Sequence, residues 1–117
     1  MRDEIQKFLI DICEKFPEVA PRLKKYGTDM PTSRMEEFAA CTTEELGKPN
    51  FARAVAYLAY MSTKLDTASP LEREYIDVYF IENLFWEAPH KTVAQGWPLV
   101  PENLKSLYVQ FHGKTPL

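Results

Sequence analysis

Apolar residues recur along this chain at helical intervals, and prolines and glycines cut the pattern into segments. From Asp3 to Phe16, the residues Ile5, Phe8, Leu9, Ile12 and Phe16 share one face, and Asp3 and Glu4 suit the positive end of a helix dipole. Pro17 and Pro21 interrupt the next stretch, so Glu18 to Tyr26 reads as a short second helix closed by Gly27. After a loop over Thr28 to Ser33, Ser33-Arg34-Met35-Glu36 has the form of a capping box ahead of Phe38, Ala39 and Leu46, with Gly47 at the end. Asn50 caps a fourth helix reaching Asp66, with Phe51, Ala54, Val55, Leu58, Met61 and Leu65 on its apolar face. Ala52, Ala56 and Ala59 lie beside that face and permit close approach of another helix.

The next boundary is the sharpest. Ser69-Pro70-Leu71-Glu72 combines an N-cap serine, a proline at the first helical position and a capping-box glutamate. It predicts one helix from Ser69 to Trp86, apolar on nearly every side and therefore central to a bundle. Pro89 and Pro98 bracket a loop over Glu87 to Val100, with Trp97 folding back onto the core. Pro101 opens a last helix carrying Leu104, Leu107, Tyr108 and Phe111, terminated by Gly113. Sustained period-two alternation is absent, so the expected fold is all-α: a single domain over residues 1–117, a bundle of about six helices around the fifth.

Composition narrows the function classes. The 117 residues are 45% hydrophobic and 26% charged, with a net charge of −3. That balance argues against a surface built for nucleic acid or acidic lipid. The longest wholly apolar interior run, Ala54 to Met61, is far short of the roughly 20 residues that cross a bilayer. Met1-Arg2-Asp3-Glu4 runs straight into an amphipathic pattern without a secretory signal, which makes the cytoplasm the expected location. Cys13 and Cys41 lack any metal-ligand spacing and read as buried thiols, so neither metal nor cofactor is expected.

Candidate chemistry is sparse. There is no Gly-x-Ser-x-Gly elbow, phosphate loop or His-Glu-x-x-His pair, and no catalytic residue is assigned. At α-helical spacing Glu82 falls among Leu71, Tyr75, Val78, Tyr79, Phe85 and Trp86, where a carboxylate needs a partner or a proton. It reads as a structural anchor, bonded to a tyrosine, a helix N-terminus or Arg53, as a raised-pKa acid in a pocket with His90 or His112, or as an exposed edge residue facing a groove between helices. Both histidines read as helix-end or loop residues. On the fourth helix, Arg53, Tyr57, Tyr60 and Lys64 form a stripe of two tyrosines between cations. The stripe is either a binding hot spot or two rings covered by a neighbouring helix. Acidic residues gather on the third helix (Glu36, Glu37, Glu44, Glu45) and the fifth (Glu72, Glu74, Asp77). They form either a solvated surface or a face that steers a basic partner.

Tyr75-Ile76-Asp77-Val78-Tyr79-Phe80-Ile81-Glu82-Asn83-Leu84, followed by Leu99-Val100-Pro101-Glu102-Asn103-Leu104-Lys105-Ser106-Leu107-Tyr108 and Gly113, resembles a family of small uncharacterised bacterial helical domains. The family pattern joins a Glu-Asn-Leu helix to a Leu-Pro-x-x-Leu-x-x-Leu-Tyr helix, and in this chain Val100 separates Leu99 from Pro101. The resemblance implies a bacterial cytoplasmic origin and an all-helical fold, and it transfers no catalytic residue. In size and acidity the chain is also similar in style to immunity proteins that neutralise toxins. The expectation is a non-enzymatic protein-binding domain: an immunity-type inhibitor of a basic toxin, such as a nuclease, using the third- and fifth-helix acids and the Arg53/Tyr57/Tyr60/Lys64 stripe. The alternatives are a small-molecule binder or enzyme with Glu82 in a pocket, and a homo-oligomeric module such as a homodimer.

Overall fold

The structure, a computed structural model, describes residues 2–117; Met1 of the charged N-terminal run lies outside them. Seven α-helices and no strands are present among the described residues, so the all-α expectation holds. Helix α1 (Arg2–Lys15) buries Ile5, Phe8, Leu9 and Ile12, with Phe16 just beyond its end. The predicted second helix is shorter than its pattern: a 3-10 turn over Pro17–Val19 leads into α2 (Ala20–Leu23). Helix α3 (Pro31–Leu46) begins before the predicted cap, because Pro31 takes the first turn and leaves Ser33 inside the helix.

In α4 (Ala52–Asp66), Asn50 does serve the helix start, its Oδ1 accepting the Ala52 N–H at 3.1 Å. The buried face, however, is Ala54, Tyr57, Leu58, Met61 and Leu65, whereas Val55 is 41% exposed. Tyr57 replaces Val55 because its ring packs on Phe16 and Phe38, with centroids 4.7 and 5.3 Å away. Its hydroxyl donates to Glu18 Oε2 at 2.7 Å. The larger ring gains more from burial, and its one polar atom stays satisfied. Ala52, Ala56 and Ala59 are exposed, and no helix covers them.

The Ser69 capping box forms at the start of α5 (Pro70–Glu74) with both of its hydrogen bonds. The rod then changes winding: Tyr75–Ile81 is a π-helix, and the Glu82 N–H donates to the Asp77 carbonyl five residues back. The sequence supplies a reason. Every i, i+3, i+4, i+7 stripe beginning between Tyr75 and Phe80 includes Asp77, Glu82 or Asn83. Winding at i, i+5 instead buries the pairs Tyr75/Ile76 and Phe80/Ile81, then Leu84/Phe85, and leaves those three polar residues half-buried at the edge. Glu82 is thus not at the centre of the apolar face, and Trp86, predicted to lie in the central helix, is 72% exposed in the turn beyond the rod. The expected central position of the rod itself is correct, since Ile76, Phe80 and Ile81 are fully buried against α3 and the C-terminal helix.

The segment expected to be a loop contains α6 (His90–Gly96) and a 3-10 turn over Trp97–Leu99, with Trp97 buried as anticipated. Helix α7 (Glu102–His112) ends at Gly113 with φ 76°, a left-handed cap. It buries Leu104, Leu107 and Tyr108 but leaves Phe111 54% exposed. Asn103 of α7 clasps α4 by accepting from the Ser62 hydroxyl at 2.7 Å and donating to the Ser62 carbonyl at 2.9 Å.

Two substitutions test these contacts. A Cβ on Gly96 would stand 3.0 Å from Phe85 Cε1 and 3.1 Å from Leu46 Cδ1, both in buried side chains. Gly96→Ala is therefore expected to cost about 1–3 kcal/mol in urea unfolding despite alanine's better helix propensity. Ser69→Ala removes the cap and is expected to cost about 1 kcal/mol in the same assay.

Candidate functional site

A groove of about 400 Å³ runs between α3 and the turn after the π segment. One wall is a single helical stripe of α3, namely Ser33, Glu36, Glu37, Ala40, Thr43 and Glu44. Their spacing of three or four residues places them together, on the side away from the buried Met35, Phe38, Ala39, Thr42 and Leu46. The other wall is Asn83 and the run Trp86, Glu87, Ala88 and Pro89, with Thr92 of α6 and Tyr26 at the ends.

The second wall is held in an uncommon backbone shape. Phe85 and Glu87 both have left-handed φ, 66° and 54°, with Trp86 between them. Such a conformation costs a bulky residue about 1–2 kcal/mol. It is offset at Phe85, whose buried ring is worth about 1.5–3 kcal/mol and packs toward Trp97 and Tyr108. The Phe85 N–H also donates to Thr43 Oγ1 at 3.0 Å, and that hydroxyl donates to the Ala39 carbonyl. With Phe85 pinned inward, the chain turns its next residue outward, and the Trp86 indole stands in solvent beside the α3 carboxylates.

Four carboxylates line the groove, and no lysine, arginine or histidine does so among the described residues. Two of them are partly neutralised from α2. Arg22 Nε donates to Glu37 Oε2 at 2.7 Å, while Nη1 and Nη2 form a fork with Glu44 at 2.7 and 2.8 Å. This fork holds the Glu44 carboxyl below its ordinary range. Glu36 and Glu87 are exposed and enter no ion pair among the described residues.

Of the residues singled out in the sequence, Glu36, Glu37 and Glu44 meet in this groove. Glu45 turns aside to pair with Lys48. Glu72 is taken by its cap and by Lys64 at 2.9 Å, while Glu74 is exposed and Asp77 half-buried, outside the groove lining. The Arg53/Tyr57/Tyr60/Lys64 stripe is not an open surface. Tyr57 is buried, Tyr60 packs edge-on against Phe16, and Lys64 lies over the Phe8 ring, leaving Arg53 exposed. The two rings are covered by Phe16, just beyond α1, and that of Tyr57 also by Phe38 of α3. Glu82 does not line the groove; its carboxyl is pushed up by burial and by nearby Asp77. His90 is exposed at the start of α6, and His112 stacks on Tyr108 at 4.0 Å, where burial lowers its pKa. Cys41 is buried and its thiol pushed up to about 11 by that burial, while Cys13 is half-buried. Among the described residues, no cluster of His, Cys, Asp and Glu could hold a metal ion, and no helix is long and apolar enough to cross a membrane.

Trp86, Glu87, Asn83 and Tyr26 complete a site of which the sequence pattern marks only the α3 half. The available signal is Ala88-Pro89, since the residue before a proline is biased away from helix and so marks a break near Trp86.

The family described as "Domain of unknown function (DUF7674)" matches residues 9–113, and the chain belongs to it. No curated protein and no solved structure matches the chain.

The ion pairs set a pH dependence. Glu44 has a depressed folded pKa, so its contribution to stability is present above the ordinary value of 4.5 and is lost as pH falls through the folded pKa. Arg22→Gln is expected to lower the melting temperature at neutral pH and to flatten its fall on acidification. Glu82 has the opposite sign, its raised pKa favouring the folded state below 4.5 and opposing it as the carboxyl ionises. Glu82→Gln is expected to raise the melting temperature at neutral pH, with the advantage vanishing in acid.

Proposed function

We propose that this chain is a non-enzymatic protein-binding domain whose partner presents a basic surface to the groove between α3 and Trp86. The observation that carries the reading is the lining itself, four carboxylates around an exposed indole with no basic side chain among the described residues. Tryptophan is among the residues that most often dominate binding energy, and apolar area at Trp86, Ala40, Ala88 and Pro89 supplies contact that surface charge alone does not. The carboxylates add electrostatic steering and selection against acidic partners. In its finer form the reading is an immunity-type inhibitor that covers the basic face of a toxin.

Its test is affinity capture on the full chain from source cells, then reconstitution with the purified, identified partner. The expected partner is basic, its complex weakens as salt is added, and Glu36→Lys with Glu87→Lys abolishes binding while circular dichroism stays unchanged. An acidic partner, or a complex indifferent to both substitutions, overturns the reading.

A further inference from the structure

The chemistry of the groove discriminates between basic side chains, on the reading of a basic partner proposed for this site. Asn83 donates through Nδ2 to the Tyr79 carbonyl at 3.0 Å, leaving Oδ1 as the accepting atom of its amide. Together with the carboxylates of Glu36 and Glu87, the lining offers hydrogen-bond acceptors to an incoming donor. The neighbouring carboxylates show what such a wall can hold. Glu37 and Glu44 grip the Arg22 guanidinium through its Nε and both terminal nitrogens, within the chain itself.

Trp86 separates the two common cations. A lysine ammonium is a compact, strongly hydrated point charge, and contact with an indole face strips part of its water. A guanidinium is flat and weakly hydrated, so it stacks on the ring while its edge keeps donors for carboxylates. An acceptor-rich groove flanked by an exposed indole is complementary to that combination. We infer that the groove takes an arginine side chain from the partner, its guanidinium stacked on Trp86 with Glu36 and Glu87 as its carboxylate acceptors.

The experiment uses three peptides of equal length with glycine–serine flanks, carrying paired arginines, paired lysines or paired citrullines. Binding to the full chain is followed by ¹⁵N-resolved NMR. The chain has two tryptophans, Trp86 exposed and Trp97 buried, so two indole N–H signals are available. The Trp86 signal is identified by its loss in Trp86→Phe, and the Trp97 signal reports that the fold is intact. The arginine peptide is expected to shift the Trp86 indole and to bind roughly threefold to tenfold more tightly than the lysine peptide. Citrulline, which keeps the shape without the charge, is expected to leave the indole unmoved. In Trp86→Ala the arginine preference collapses to the level of lysine. Equal binding of the two cationic peptides, or an arginine peptide that leaves the Trp86 indole still, overturns the arginine assignment and spares the basic-partner reading. Failure of both cationic peptides to move any groove signal overturns the two together.

Discussion

Burial of the Phe85 ring is the contact on which the candidate site depends. The ring lies between the central rod and the C-terminal part of the chain, close to Gly96, Trp97 and Tyr108, and holds its own backbone in a left-handed conformation. The free energy of one inward aromatic thereby sets the direction of the next, outward one. The hydrogen bond from the Phe85 N–H to Thr43 fixes the turn to α3, so both walls of the groove are tied to a single helix. A groove built this way is largely organised before any partner arrives, which reduces the ordering cost of association.

Electrostatics are graded across the same surface. Arg22 engages the two α3 carboxylates facing α2 and leaves Glu36 and Glu87 to solvent. Without that internal guanidinium, the α3 stripe would concentrate like charge along one face of a helix already crowded with acids. With it, the wall is rigid at one end and available at the other. The fork and the open carboxylates are parts of one arrangement, because α2 is short and ends just where Arg22 can reach across.

Much of this architecture is legible in the residues, and the main failures share one cause. The capping box at Ser69, the face of α1, the face of α7 apart from the exposed Phe111, the cap at Gly113 and the acidic stripe on α3 all follow from local chemistry or the 3.6-residue period. The placement of Glu82 and Trp86 does not. Their expected positions assume α-helical winding through Tyr75–Ile81, and the wider π turn moves each side chain beyond it to a different face. A periodic template has no way to register such a change, although the polar residue in every α-helical stripe is a hint that the period is wrong. The exposure of Val55, expected on the apolar face of α4, has a different origin. Val55 and Tyr57 flank opposite sides of the Ala54/Leu58/Met61 face, and the tertiary partners Phe16, Phe38 and Glu18 decide which flank turns inward.

A bare indole is ordinarily a liability in a crowded cell, because two such rings gain by meeting. Here each ring travels with a negative border. For two molecules to bring their tryptophans together through this groove, they would also have to press Glu36 and Glu87 of one against Glu36 and Glu87 of the other. An exposed apolar ring and a like-charge cost against a second copy of the same ring thus sit together in one small patch.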